Sequence, residues 1–186
     1  QEFGAISGAQ TIEHEGQTMT MQKASLLLKE QDEQLRKLIF EKMSTRRMED
    51  KEQLDALYNK LIQLRHQIAV NAGFQNYRDY KFEALGRFDY TKEDCFAFHQ
   101  AIKTHIVPLV KQIQQARLDL LGKTKFKPWD LEVDPEGKAA LKPFENGQQM
   151  LSGTTQMFER IDPYFGQCLQ TMNELGHLDL DSKTGK

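Results

Sequence analysis

The sequence contains few cysteines and prolines and a single tryptophan, and it has no long apolar run. Two cysteines, Cys95 and Cys168, are too few for a disulfide framework, so reduced thiols in a cytoplasmic protein are the simplest expectation. No apolar stretch approaches the roughly 20 residues needed to cross a bilayer. The first residues also lack the basic-then-apolar pattern of a secretory signal. We therefore predict a soluble protein that does not insert into a membrane.

An excess of positive charge is also missing. Lys and Arg total 25 against 27 Asp and Glu, and the formal net charge is -2. This balance argues against a dedicated nucleic-acid-binding protein, which is usually clearly basic. The apolar fraction of 39% over 186 residues is sufficient for a hydrophobic core, which argues against wholesale disorder.

Hydrophobic periodicity predicts a small hairpin followed by helices. Residues 9–14 and 17–20 flank the turn signal Glu15-Gly16. From Met21 the period becomes helical, with Thr20 as the N-cap, and the polar interval 29–34 is either a bend or an exposed stretch of one long helix. Further helices are predicted over residues 51–72, 77–84, 92–121, 148–160 and 163–175. Their longest apolar stripes are Ala24, Leu27, Leu28, Leu35, Leu38, Ile39 and Met43; Leu54, Leu57, Tyr58, Leu61, Leu64, Ile68 and Ala72; and Phe98, Ile102, His105, Leu109, Ile113, Ala116 and Leu120.

Capping residues and helix breakers fix the predicted boundaries. Thr91 and Asp94 resemble a capping box at the start of the 92–121 helix, and Pro108 should bend that helix. Asp162-Pro163 is typical of an N-cap followed by a first helical turn. Three helices are predicted to end at glycines, which can adopt positive φ: Gly73, Gly86 and Gly122.

Residues 123–144 break the helical pattern and contain Pro128, Pro135, Pro143 and Trp129. A loop of this length is either functional or pinned to another part of the protein. The predicted fold is mostly α, a multi-helix array with a small N-terminal β-hairpin. We expect one helical segment, divided into a hairpin (1–20), long helices (21–121), a loop (122–147), and helices with a polar tail (148–186).

The histidines do not form a metal-binding pattern. His14 lies between two glutamates in the predicted hairpin, and we expect a solvated charge cluster there. His99 and His105 are six residues apart and therefore face different directions on a helix. His105 falls on the apolar stripe, which predicts a packed core histidine, whereas His66 lies off its stripe. We therefore assign no metal ligand.

Two short patterns resemble catalytic motifs. Asn173-Glu174-Leu175-Gly176-His177 differs by one residue from His-Glu-x-x-His, but an asparagine amide is a poor substitute for a zinc-binding imidazole. Cys95 and His99 could meet on one helical face, but nothing in the sequence orients the histidine. We therefore predict no catalytic residue in this chain.

Four arginines on the predicted helices are interleaved with acidic residues. This pattern is typical of a solvated, ion-paired face. The four residues are Arg36, Arg46, Arg47 and Arg65.

Six strings, taken in order, resemble the oligoendopeptidase F branch of the thimet-oligopeptidase-like zinc metallopeptidases. They are residues 64–74 (LRHQIAVNAGF), 76–80 (NYRDY), 86–91 (GRFDYT), 107–109 (VPL), 127–131 (KPWDL) and 178–183 (LDLDSK). Each string is weak alone, but six in the right order are fairly specific. The resemblance covers nearly the whole chain, from about Ala9 onward.

The resemblance implies a zincin-like helical peptidase of which this chain is one part. In that family the last string is followed by a Lys-Ala-Pro-Gly-Gly stretch, then by a His-Glu-x-x-His helix and a further Glu ligand. The catalytic half would therefore lie beyond Lys186, and no zinc ligand or catalytic base can be carried over to any residue here. Substrate-binding residues cannot be assigned from the sequence.

Two functions remain open at this stage. In the first, the chain is an inactive fragment of a zinc metalloendopeptidase that hydrolyses oligopeptides, and it supplies helical framework and channel wall. Zinc, the oligopeptide substrate and the missing catalytic half would belong to the intact enzyme. In the second, the chain is a free-standing helical scaffold or adaptor that binds a partner helix. In the first case, apolar surface should be exposed or covered in an oligomer.

Overall fold

The computed structural model describes residues 1–181. Ser182 and Lys183 of the last string, and the rest of the predicted polar tail, lie outside these residues. The described chain is mostly helical with one antiparallel hairpin. Its elements are α1 (Glu2–Gly8), β1 (Thr11–His14), β2 (Gln17–Thr20), α2 (Met21–Leu26), α3 (Glu33–Glu49), α4 (Lys51–Asn71), α5 (Tyr77–Ala84), α6 (Lys92–Ala101), α7 (Val107–Leu120), α8 (Gly147–Glu159) and α9 (Pro163–Glu174).

The chain divides into two compact units. Unit 1 comprises Gln1–Met43 together with Glu132–Lys186, and unit 2 comprises Ser44–Leu131. Among residues 1–181, no helix combines the length and the apolarity needed to span a bilayer.

The hydrophobic core of unit 1 lies between the hairpin and the first helices. The hairpin pairs Thr11 with Thr20 and His14 with Gln17. Thr20 caps α2 by accepting from the Lys23 N–H at 3.2 Å, as predicted. The polar interval is a bend rather than a continuous helix, since a 3₁₀ turn at Leu27–Lys29 precedes the start of α3. The buried core residues are Ile12, Met21, Ala24, Ile39 and Met43.

Two polar residues that we predicted to be solvated are buried in unit 1. His14 is 9% exposed, because alternation along β1 places it on the same face as Ile12. Arg36 is 2% exposed, and its Nη1 donates to the carbonyls of Glu30 and Gln31 at 2.9 and 2.8 Å. Because the chain bends before α3, its carbonyls need donors other than helical N–H groups, and the guanidinium provides them.

In unit 2 several helices end as the glycines predicted. Gly73, Gly86 and Gly122 all have positive φ. After α4, the Phe74 N–H donates to the Ala69 carbonyl at 2.9 Å and the Gly73 N–H donates to the Val70 carbonyl at 3.0 Å. This pair of hydrogen bonds is a Schellman motif, and it places the buried Ala69 in the last turn of the helix.

The long helix predicted over residues 92–121 is two α-helices joined by a π-helical turn at Ile102–Ile106. The turn lies directly before Pro108. Proline has no N–H, and its ring crowds the carbonyl four residues earlier, so a wider turn accommodates it. At the N-terminus of α6, Thr91 and Asp94 form the predicted capping box.

Much of the apolar surface of unit 2 is exposed. The α4 stripe buries Leu57, but Leu64 and Ile68 remain 52% and 46% exposed. On the 92–120 segment, Phe98 is 65% exposed. The histidine that we predicted to be packed, His105, is also exposed. The periodicity identified the apolar faces of these helices, but it could not show whether another part of the described chain covers those faces.

Candidate functional site

The first part of the long loop is fastened to unit 2 by a buried carboxylate. Asp130 is fully buried, and its Oδ1 lies 2.6 Å from the Lys123 Nζ. Its Oδ2 accepts from the backbone N–H of Lys127 at 3.1 Å. Arg117 of α7 donates through Nη2 to the carbonyls of Asp130 and Leu131 at 3.2 and 3.1 Å. We call this arrangement the Asp130 clamp.

The second part of the loop is held within unit 1 by hydrogen bonds to its backbone. The Gln31 Nε2 donates to the carbonyls of Asp134 and Lys138 at 3.3 and 3.0 Å. The Asp134 carboxylate in turn accepts from the Glu136 N–H at 2.8 Å. Nearby in the chain, Val133 is 1% exposed. The structure therefore supports the pinned alternative for this loop.

The segment that resembles a zinc motif is a helix end. α9 stops at Glu174, and Gly176 has a φ of +68°. The His177 N–H donates to the Met172 carbonyl at 2.9 Å, and the Gly176 N–H donates to the Asn173 carbonyl at 3.0 Å. This Schellman motif places His177 beyond the helix, so it does not share a helical face with Glu174.

The remaining candidate histidines and cysteines lie on α4, α6 and α9. His66 and His99 are exposed, and Cys95 and Cys168 are half-buried free thiols. The Tyr164 hydroxyl is hydrogen-bonded to the Cys168 thiol, which raises the pKa of Tyr164. Within the described range 1–181, no group of three or more His, Cys, Asp or Glu side chains is arranged to hold a metal ion. These residues therefore do not fit a catalytic zinc, which requires about three protein ligands.

The helix pair α8 and α9 forms a polar cleft of about 350 Å³ in unit 1. The two helices approach closely at Gly166, where an added Cβ would lie 2.3 Å from the Glu159 side chain. The Gln170 Nε2 also donates to Glu159 at 3.2 Å. The cleft is lined by Gln148, Leu151, Ser152, Thr155, Gln156, Glu159, Gln170, Asn173 and Glu174.

This lining offers the chemistry needed to bind an extended peptide backbone. Amide side chains both donate and accept hydrogen bonds, and carboxylates accept them. Sequence reasoning considered Asn173 and Glu174 only as part of a zinc-like pattern, and it did not identify the cleft. The available signal was the spacing of Gln148, Ser152, Thr155 and Glu159, which gives α8 one continuous polar face.

A second cleft, of about 420 Å³, lies between α2 and residues 140–145 in unit 1. Its walls include Leu27 and Phe144, and Lys23 and Lys142 also line it. Glu30 and Glu145 line it as well, so it is a mainly apolar groove bordered by charges of both signs.

Comparison with known proteins places this arrangement in a family. The chain belongs to peptidase family M3, whose profile matches residues 26–167. Two solved structures are similar over the whole chain: one assigned as an oligoendopeptidase F, at 26% identity and a TM-score of 0.89, and PZ peptidase A with an inhibitor, at 27% identity and 0.89. A structure assigned as an oligoendopeptidase F from Bacillus anthracis str. Ames shares the fold at 20% identity and a TM-score of 0.90. No curated protein sequence gives a significant match.

The chain spans about one third of each of these solved structures, with coverage of 33%, 33% and 34%. It is therefore similar to one part of a larger M3 peptidase. The resemblance read from the six strings is confirmed, as is the mostly α fold with its small hairpin.

Proposed function

We propose that this chain is part of a zinc-dependent endopeptidase that hydrolyses oligopeptides, within which it supplies helical framework and one wall of the peptide channel. The observation that carries the proposal is the match to peptidase family M3 over residues 26–167. The chain also superposes along its whole length on structures about three times as long. The alternative of a free-standing adaptor has no such support.

The catalytic zinc in this proposal is held by residues other than those described. Residues 1–181 offer no cluster of ligands, and the one segment that resembles a zinc motif is a helix end. We therefore propose that the chain alone is inactive and binds no zinc. Its own contribution would be to hold a peptide, and the α8–α9 cleft, with its amide and carboxylate lining, is the surface best suited to that task.

The remaining expectations are part of the same proposal. We propose a cytoplasmic location, consistent with two free thiols in the chain. We also propose that the chain acts as one segment of the peptidase. Its parts are a hairpin (1–20), long helices (21–121), a loop (122–147) and a final helical part (148–186).

A peptide-cleavage assay with parallel metal analysis tests this function. The larger endopeptidase of which this chain is proposed to be a part, here called the longer polypeptide, should cleave a quenched fluorescent oligopeptide and contain one zinc per chain. Residues 1–186 alone should do neither. Substitution of Gln156 and Gln170 by Ala in the longer polypeptide should raise KM and leave the zinc content unchanged. Turnover with stoichiometric zinc by this chain alone would contradict its proposed inactivity.

A further inference from the structure

Helix α7 carries apolar residues on two opposite sides, and only one side is buried. Leu118 is 8% exposed, whereas Leu109, Ile113 and Leu120 are 51%, 61% and 60% exposed. At 100° per residue, the three exposed side chains fall within about 40° of one another and about 160° away from Leu118. The helix therefore has a buried inner face and a second, separate apolar face that residues 1–181 do not cover. We call the exposed face, Leu109, Ile113, Ala116 and Leu120, the α7 seam.

The spacing of the α7 seam is that of a helix-packing surface. Its residues follow one another at intervals of four, three and four, which is the repeat of a helix that packs along another helix. Polar residues border it on both sides, with Gln112 and Asp119 on one side and Arg117 on the other. Single exposed apolar residues are ordinary, but a continuous apolar stripe with polar borders marks an interaction site.

The length of the relatives identifies the occupant. Structures that match this chain from end to end contain about two further thirds of polypeptide. Burial of apolar surface stabilises a protein by about 25 cal/mol for each Å², so covering this stripe with a further helix would stabilise the longer polypeptide. We propose that the α7 seam is the docking surface for an amphipathic helix of the same, longer polypeptide. This inference rests on the proposed function, because it takes the chain to be one part of an M3 peptidase.

A pair of matched substitutions tests the seam in the longer polypeptide. Ile113→Gln should lower its Tm by about 2 °C or more, because a polar amide would enter a packed helix interface. Leu141→Gln is the control, since Leu141 is 95% exposed and lies outside the seam; it should change the Tm by less than about 0.5 °C. If Ile113→Gln prevents folding, Ile113→Val should give a smaller loss than Ile113→Gln, and that loss should still exceed the effect of the control.

The outcomes separate this inference from the proposed function. Equal, small effects of Ile113→Gln and Leu141→Gln would overturn the seam, even if the unmodified polypeptide cleaves peptides. A concentration-dependent dimer of the longer polypeptide that Ile113→Gln abolishes would also overturn it, because the occupant would then be a second copy. Absence of peptide cleavage by the unsubstituted longer polypeptide would contradict the proposed peptidase function, but it would not affect the comparison of Tm values.

Discussion

Units 1 and 2 have similar sequence patterns but different burial. In unit 1 the apolar stripe through Ala24, Ile39 and Met43 meets the hairpin and is buried. In unit 2 the equally regular stripe on α4 leaves Leu64 and Ile68 about half exposed. The two units therefore show that periodicity determines which face of a helix can be buried, whereas burial itself needs a covering element.

The largest fully buried side chain of unit 2 is polar. Asp130 and the small Ala69 have no exposed surface, whereas the larger apolar residues Leu57 and Leu118 are each 8% exposed. Unit 1, in contrast, buries the large apolar side chain of Ile39 completely. The described part of unit 2 thus depends on a polar clamp where unit 1 depends on apolar packing, and substitutions can test this contrast.

The largest expected effect is from Asp130→Ala. Removal of the carboxylate leaves the Lys123 ammonium, whose side chain is 19% exposed, without its partner at 2.6 Å. Breaking a buried ion pair in this way costs about 3 to 5 kcal/mol of unfolding free energy. Urea denaturation combined with hydrogen exchange in residues 44–131 would measure the loss. Asp119→Ala, on the exposed side of α7, is the control and should cost less than about 0.5 kcal/mol; a similar cost for both variants would contradict the clamp.

The next effect compares one substitution in the two units. Ile39→Ala should cost about 2 to 4 kcal/mol, because Ile39 is fully buried and its removal leaves a cavity. Ile68→Ala should cost less than about 1 kcal/mol, since Ile68 is 46% exposed in this chain. Chemical denaturation of the two variants provides the measurement. Equal costs would show that the contrast in burial has no energetic consequence.

These contrasts also show how far the sequence could predict the fold. The Thr20 and Thr91 caps and the glycine helix ends were correct because such signals act within a few residues. Helix α1 was missed, since it is short, contains Gly4 and Gly8, and has no side-chain cap.

The errors in the candidate site have one physical cause. The burial of Arg36 depends on the bend before α3, that of His14 on the helices that pack against its face of the hairpin, and that of Asp130 on a loop conformation that brings Lys123 to it. A single-sequence pattern contains no record of these partners. The α8–α9 cleft was overlooked for the same reason, because it exists only where two helices meet at Gly166.

Local capping by an asparagine side-chain carbonyl should have a similar energetic value in both units, although the Asn76 Nδ2 also donates to the Asp79 carboxylate at 2.9 Å. Asn76 caps α5 in unit 2 by accepting from the Asp79 N–H at 3.0 Å, and Asn146 caps α8 in unit 1 by accepting from the Gln149 N–H at 2.9 Å. Each Asn→Ala substitution should cost about 1 kcal/mol, and Asn→Ser should recover most of it. Thermal denaturation of the four variants measures this. A much larger loss in one unit would show that its cap has a role beyond satisfying the helix terminus.

The smallest effect is a pH dependence that distinguishes the cap of α6 in unit 2 from the amide cap of α8 in unit 1. The Asp94 carboxylate accepts from the backbone N–H and the hydroxyl of Thr91 at 2.8 and 2.7 Å, and these hydrogen bonds hold the pKa of Asp94 below its usual 3.8. A carboxyl whose pKa is lower in the folded state adds stability that is complete above the unfolded pKa and is lost as the pH falls through the folded pKa.

The start of α6 should therefore loosen only under acidic conditions, below pH 3.8. Asn146 carries no proton to gain in this range, so the Gln149 N–H that it caps should keep its hydrogen bond. An NMR titration between about pH 2 and pH 6 would follow the Thr91 amide, and Asp94→Asn should abolish its acid transition. A Thr91 midpoint at or above 3.8 would show that the carboxylate does not stabilise this helix.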